Sequence, residues 1–169
     1  MLIESNYANS SLDILLADDD RDDRFFFKLA LNEMPFPAQL TTVEDGEKLM
    51  NHLAKKSEAL PDVLFLDLNM PKKNGSECLY EIKQNIKLKK LKVIIYSTSL
   101  HENVADQLYT NGAHYYIQKR EFEELKNILL QILPLIQTQM EQPPRANFIF
   151  NPVNSKSSGS HYTLKSPLS

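Results

Sequence analysis

Apolar residues in this chain follow two rhythms. Short apolar-rich runs occupy 12–17 (Leu-Asp-Ile-Leu-Leu-Ala), 63–66, 92–96 and 114–117, and 38–43 is a further short stretch of strand formers. Between them lie longer stretches in which apolar positions recur every three or four residues. The runs read as strands and the periodic stretches as helices. In 20–33, Phe26, Leu29 and Ala30 fall on one face. From Asp45-Gly46 to about 55, Leu49 and Leu53 point inward. Further helices are expected over 74–85, 99–111 and 121–133, the last with Phe122, Leu125, Leu129 and Ile132 in one stripe.

The punctuation between these stretches supports the division. Asp20 is a helix N-cap residue with Asp22 and Asp23 in the first turn, where the helix dipole favours negative charge. Asn74 with Glu77, and Ser99 with Glu102, have the capping-box spacing. Gly112 fits the position just past a helix end. Pro35 and Pro37 stop the first helix, and Pro134 is expected to end or kink the last. Five strands alternating with five helices, the strands apolar on both faces, predict an α/β fold with a doubly wound parallel sheet. Residues 1–10 read as a flexible N-terminus, 11–138 as the folded domain, and 139–169 as a flexible tail rich in proline and serine. Phe148-Ile149-Phe150 and Tyr162 are apolar interruptions in that tail.

Composition narrows the function classes. With 42% hydrophobic and 24% charged residues and a net charge of -3, the chain is an ordinary globular protein without the basic excess of a nucleic-acid binder. Its one cysteine, Cys78, excludes an internal disulfide and a cysteine-based zinc site. No apolar run approaches membrane-spanning length, and the first residues lack a secretory signal, so a cytoplasmic location without membrane contact is expected. Four glycines are too few, and wrongly placed, for a glycine-rich phosphate loop. The four histidines are scattered without ligand spacing, and Lys87, Lys89, Lys90 and Lys92 read as a solvated basic turn.

Chemistry gathers at the C-terminal ends of the expected strands, where open parallel sheets bind ligands. The first strand ends in Asp18, Asp19 and Asp20, the third in Asp67, the fourth in Ser97 and Thr98, and the fifth near Lys119. Taken alone, an aspartate run before a helix is a cap, and strand-end hydroxyls bond backbone. Together, converging carboxylates repel unless a cation joins them. Oxygen ligands suit Mg²⁺ or Mn²⁺. A carboxylate beside such an ion, an ammonium and a hydroxyl is equipped to attack a phosphoryl group and form an aspartyl phosphate.

Leu15-Leu16-Ala17-Asp18-Asp19-Asp20, Leu66-Asp67-Leu68-Asn69-Met70-Pro71 through Gly75, Ile95-Tyr96-Ser97 and Tyr116-Ile117-Gln118-Lys119 resemble the CheY-like receiver domain of two-component response regulators. The stretch 67–75 is especially similar to small single-domain receivers paired with phytochrome-type kinases. The resemblance implies the sheet order 2-1-3-4-5. It implies Asp67 as phosphoacceptor, Asp19 and Asp67 as direct metal ligands with the Asn69 carbonyl, and Asp18 holding metal-bound water. It further implies Ser97 and Lys119 as partners of the phosphoryl group, Tyr116 with Ser97 as the switch pair, and Asn69 and Ser99 as positions tuning dephosphorylation. Tyr116, taken by itself, is equally a core residue. The family usually carries Lys-Pro after the fifth strand; here it is Lys119-Arg120.

The implied function is a stand-alone phosphoreceiver. A histidine kinase or histidine phosphotransfer protein donates to Asp67, and an unknown protein target reads the face of helix 4, strand 5 and helix 5. That face is also a possible homodimer surface. The 31 residues after 138 are too few for an output domain. Catalysis is limited to self-phosphorylation and slow self-dephosphorylation. Two rivals remain: a binding module of the same fold that ignores phosphorylation, and a Mg²⁺-dependent phosphohydrolase working through an aspartyl phosphate.

Overall fold

A computed structural model of the chain describes residues 10–56 and 59–153, so expectations for 1–9, for Tyr162 and for the remaining tail lie outside the described residues. The strands are β1 (Leu12–Ala17), β2 (Ala38–Val43), β3 (Val63–Leu66), β4 (Val93–Ser97) and β5 (Tyr115–Gln118). The helices are α1 (Arg21–Asn32), α2 (Gly46–Lys55), α3 (Gly75–Gln84), α4 (Glu102–Thr110) and α5 (Phe122–Thr138), followed by a short 3₁₀ turn at Arg145–Asn147. All strand pairs are parallel, in the order β2-β1-β3-β4-β5. No described helix is long and apolar enough to cross a membrane.

The two-residue period of the strands divides the core between the sheet's faces. Leu15, Ala17, Leu64, Leu66, Ile95 and Tyr116 pack with α2, α3 and α4 residues such as Leu49, Leu53, Leu79, Ile82 and Leu108. Ile14, Leu16, Val63, Phe65, Ile94, Tyr96 and Ile117 pack with α1 and α5. Every central strand is therefore buried on both sides, and polar side chains are pushed to the strand ends.

The helix starts and stops hold in part. Asp20 caps α1 by accepting from the amides of Asp22 and Asp23, and Asn74 with Glu77 closes a full capping box on α3. Gly112 adopts φ +96° after α4. The expected Ser99 cap is corrected: His101 is the N-cap of α4 and gives no side-chain bond. The Ser99 carbonyl instead accepts the Tyr116 hydroxyl, which keeps that segment outside the helix.

The inward face of α1 is also corrected. Phe27, Ala30 and Leu31 are buried, whereas Phe26 and Leu29 are exposed. Phe27 meets the rings of Phe65 and Tyr96 edge-on, at centroid distances of 4.9 and 5.7 Å, which fixes the helix rotation. Pro134 does not end α5, which continues to Thr138 with Leu133 and Ile136 buried. Proline deprives the carbonyl four residues back of its donor. That residue, Leu130, lies on the exposed face, and burial of Leu133 and Ile136 outweighs the loss.

The tail reading is corrected for residues 139–153. The packed body runs past Thr138: Phe148 is fully buried in the cluster that holds Tyr116, and Ile149 forms a parallel bridge with Tyr116 at the free edge of β5. Large apolar side chains, close to an unpaired strand edge, supply both burial and backbone partners. The α4–β5–α5 face, expected to be read by a target or a second copy, thus carries residues 142–153 of the chain itself.

Candidate functional site

The site is built on the last rungs of the sheet. The Asp18 amide donates to the Val43 carbonyl, the Asp67 amide to Ala17, and the Lys119 amide to Ser97. Each chain leaves the sheet immediately afterwards, so these side chains project from a rigid edge at the C-terminal ends of the strands. The first helix turn reinforces one corner: Asp20 donates its amide to Asp18 Oδ1 at 3.0 Å, and Arg24 grips the Asp18 carbonyl at 2.7 Å.

The carboxylates of Asp18, Asp19 and Asp67 offer oxygens that all lie within 4.8 Å of one another. Asp18 and Asp67 are buried, and Asp19 is exposed at the mouth. Lys119 Nζ sits 2.7 Å from Asp18 Oδ2, 2.8 Å from Asp23 Oδ2 and 3.3 Å from Asp67 Oδ2. Its Nζ also lies over the ring of Tyr96, 5.3 Å from the centroid. The Lys119–Arg120 peptide is trans, as is every described peptide bond, and the ammonium still reaches both buried acids.

Burial dominates the electrostatics. It pushes the Asp18 carboxyl up to about 6 against the pull of Lys119, and raises Asp67 against Lys119 and the Asn69 amide. Burial opposes the Lys119 charge, but the attraction of Asp18, Asp23 and Asp67 around its ammonium outweighs it and holds its pKa above the ordinary lysine range. One ammonium among four carboxylates leaves a local excess of negative charge. Hard oxygen donors, two of them desolvated and short of positive charge, fit a small divalent cation.

The hydroxyl side of the site is spare. Ser97 Oγ is buried without a hydrogen-bond partner among the described residues, beside the Tyr116 phenol but not in normal hydrogen-bond geometry with it. Tyr116 is fully buried, and its phenol is raised above the ordinary tyrosine pKa by that burial. Asn69 is exposed, with its amide donating to Asp67 Oδ1 at 3.3 Å. Asn69, Ser99 and Tyr116 line one side of an open cavity of about 420 Å³ beside the acids.

The fold therefore brings Asp18, Asp19, Asp67, Asn69, Ser97, Ser99, Tyr116 and Lys119 to one end of the sheet. Sequence reasoning missed Asp23 as a partner of Lys119. In the sequence that residue reads only as a favourable charge in a helix turn. The spacing from the Asp20 cap, which turns Asp23 back over the strand ends, was the available signal.

The family model described as the response regulator receiver domain matches residues 14–130. Response regulator Rcp1 of Synechocystis sp. is 33% identical over 119 residues, spanning 68% of this chain and 81% of that protein. The phosphorylated cyanobacterial phytochrome response regulator RcpA superposes with a TM-score of 0.70 at 32% identity, covering 76% of this chain and 96% of the other. The Mn²⁺-bound form of Rcp1 superposes with a TM-score of 0.68 at 29% identity, covering 78% and 99%. With the strand order, the acid cluster and these matches in agreement, the chain belongs to the response regulator receiver domain family.

Proposed function

We propose that the protein is a phosphoreceiver that takes a phosphoryl group on Asp67 from a phosphohistidine-bearing kinase or phosphotransfer protein. The observation that carries this reading is the meeting of three carboxylates within 4.8 Å with Lys119 and the unpartnered Ser97 hydroxyl. A carboxylate oxygen of Asp67 attacks phosphorus, a P–O bond forms as the P–N bond to the donor imidazole breaks, and the electron pair leaves on nitrogen. Lys119 and Ser97 donate hydrogen bonds to the transferred oxygens, offsetting charge that would otherwise repel Asp18 and Asp19. Asp18, Asp19, Asp67 and the Asn69 carbonyl would hold Mg²⁺ or Mn²⁺, which when bound supplies charge neutralisation at the phosphoryl oxygens. Ser97 and Tyr116 make up the switch, and Asn69 and Ser99, at the open side, tune access of the hydrolytic water.

A protein donor must lie against the rim that α1 shares with the site. Over the two turns that follow Asp23, that helix exposes Phe25, Phe26 and Leu29, an apolar surface in the right place for it. The test is incubation with Mg²⁺ and phosphoramidate, followed by intact mass. An added phosphoryl mass, absent in Asp67→Asn, is expected. No adduct would overturn the reading, and rapid turnover of varied phosphomonoesters would favour a hydrolase instead.

A further inference from the structure

We infer that residues 142–153 are an intrachain strap that braces Tyr116, and through it the Ser97 hydroxyl, so that strap docking and phosphoryl acceptance favour each other. The inference rests on the role of Asp67 proposed above.

The strap is fastened along its whole length. At its start, Gln142 donates to the carbonyls of Tyr109 and Ala113, each at 2.7 Å, and the Tyr109 hydroxyl donates to Pro143 at 2.9 Å. Arg145 then pairs with Asp106 and Glu102 on α4. At its end, Val153 and Gln131 of α5 exchange two hydrogen bonds.

Both backbone rungs at the centre fall on one residue. The Tyr116 amide donates to the Phe148 carbonyl at 2.8 Å, and the Phe150 amide donates to the Tyr116 carbonyl at 2.9 Å. Between them the Phe148 ring is fully buried, 6.3 Å from the Tyr116 centroid and 5.3 Å from that of Tyr109. The other end of Tyr116 is tied to the Ser99 carbonyl and lies beside Ser97. A buried hydroxyl with no partner keeps its place only because its surroundings are packed, and Phe148 packs the Tyr116 ring that stands beside it.

Remove Phe148, and the Tyr116 ring gains a void to swing into. The Ser99 contact loosens, and Ser97 is no longer held ready for an incoming phosphoryl oxygen. Linkage then requires the converse: a phosphoryl group that engages Ser97 makes the strap harder to open.

The experiment uses the full chain. Hydrogen exchange of the amides of Tyr116 and Phe150 is measured with and without Mg²⁺ and beryllofluoride, and phosphorylation by phosphoramidate is timed by intact mass. In the parent, exchange at both amides should slow about fivefold or more when beryllofluoride binds, a common size for coupling between sites. Phe148→Ala should weaken the binding of Mg²⁺ and beryllofluoride by a similar factor, as linkage requires, and slow phosphorylation, and Phe148→Leu should restore most of both. Arg145→Glu, which reverses the pairing with α4 and removes the guanidinium 5.7 Å from the Phe148 ring while leaving every buried side chain in place, should also raise strap exchange and slow phosphorylation. Faster or unchanged exchange on beryllofluoride binding overturns the inference, as does normal phosphorylation in variants whose strap exchanges freely. Sedimentation as a dimer that Arg145→Glu dissociates would assign the strap to a second copy and overturn the intrachain assignment. Absence of any adduct in the parent overturns the acceptor reading itself, an outcome distinct from an adduct that is indifferent to the strap.

Discussion

Lys119 Nζ lies 2.7 Å from Asp18 Oδ2, a contact between the ends of β5 and β1 that spans the sheet's central strands. The lysine is thus anchored by an acid other than the proposed acceptor, while remaining in reach of Asp67 at 3.3 Å. Lys119→Met removes one charge from among several carboxylates, two of them buried. Breaking a buried pair in this way typically costs about 3 kcal/mol. Urea unfolding at pH 7.5 should show a loss of that order, and the phosphoramidate reaction should slow at least about tenfold, given the size of single electrostatic contributions to transition states. A variant that folds normally and phosphorylates at the parental rate would remove Lys119 from the mechanism.

Asp67→Asn should separate the chemical role from the structural one. The ionised carboxylate is disfavoured by burial more than Lys119 and the Asn69 amide favour it, so replacing it with an isosteric amide relieves that penalty in metal-free protein. The expected outcome is a thermal midpoint slightly above the parent in EDTA, no phosphoryl adduct, and a much smaller rise in midpoint on adding Mg²⁺. A parental response to Mg²⁺ would place the cation elsewhere.

The five strands were legible because each run is local, and the acid cluster because a parallel sheet brings the ends of those runs together. Unbroken apolar runs such as 63–66 end where the side chains turn polar, and in a parallel sheet that end is the site. What escaped depends on contacts between distant segments. Phe148 reads as a stray aromatic in a Pro/Ser-rich stretch, and only the free edge of β5 and the rings of Tyr109 and Tyr116 give it a place. Pro134 reads as a helix stop because local propensity ignores the burial of Leu133 and Ile136 on its far side. Phe26 and Phe27 are chemically equivalent in the sequence; the rings of Phe65 and Tyr96 select Phe27.

Gly75 controls how the Asp67 loop closes onto α3. A Cβ at that position would stand 2.2 Å from the Asp67 carbonyl oxygen, a backbone atom that cannot step aside alone. Gly75→Ala should therefore destabilise the fold by about 2 kcal/mol, as overpacking does, and slow phosphorylation by shifting the acceptor. Gly112→Ala is the control. Its penalty comes from φ +96° and contacts with the flexible Lys83 side chain. It should lose about 1 kcal/mol and leave phosphorylation rates unchanged. Equal effects of both variants on phosphorylation would show that the loop tolerates a shift of Asp67.

Two buried groups set opposite pH dependences in the metal-free protein. Burial, with Lys83 and Lys92 nearby, lowers the His114 imidazole from 6.5 to about 4. The unfolded chain then binds the proton more tightly than the fold, so this residue's contribution is present above pH 6.5 and is lost as pH falls toward 4. Asp18 acts in reverse. Its carboxyl rises from 3.8 to about 6, so the fold binds the proton more tightly and gains stability as pH falls through 6 toward 4. Each shift is worth about 3 kcal/mol over nearly the same window, so the two contributions largely cancel in the parent. Single substitutions should expose them. Asparagine at 114 still offers an acceptor to the Val93 amide, which His114 Nδ1 now accepts at 3.4 Å. Urea unfolding in EDTA at pH 4.5 and 6.5 should find His114→Asn relatively more stable at the lower pH, and Asp18→Asn relatively less stable there. Because other carboxylates are common to both variants, the difference between the two slopes isolates the pair. Parallel slopes would show that neither group titrates between its folded and unfolded environments as its burial requires.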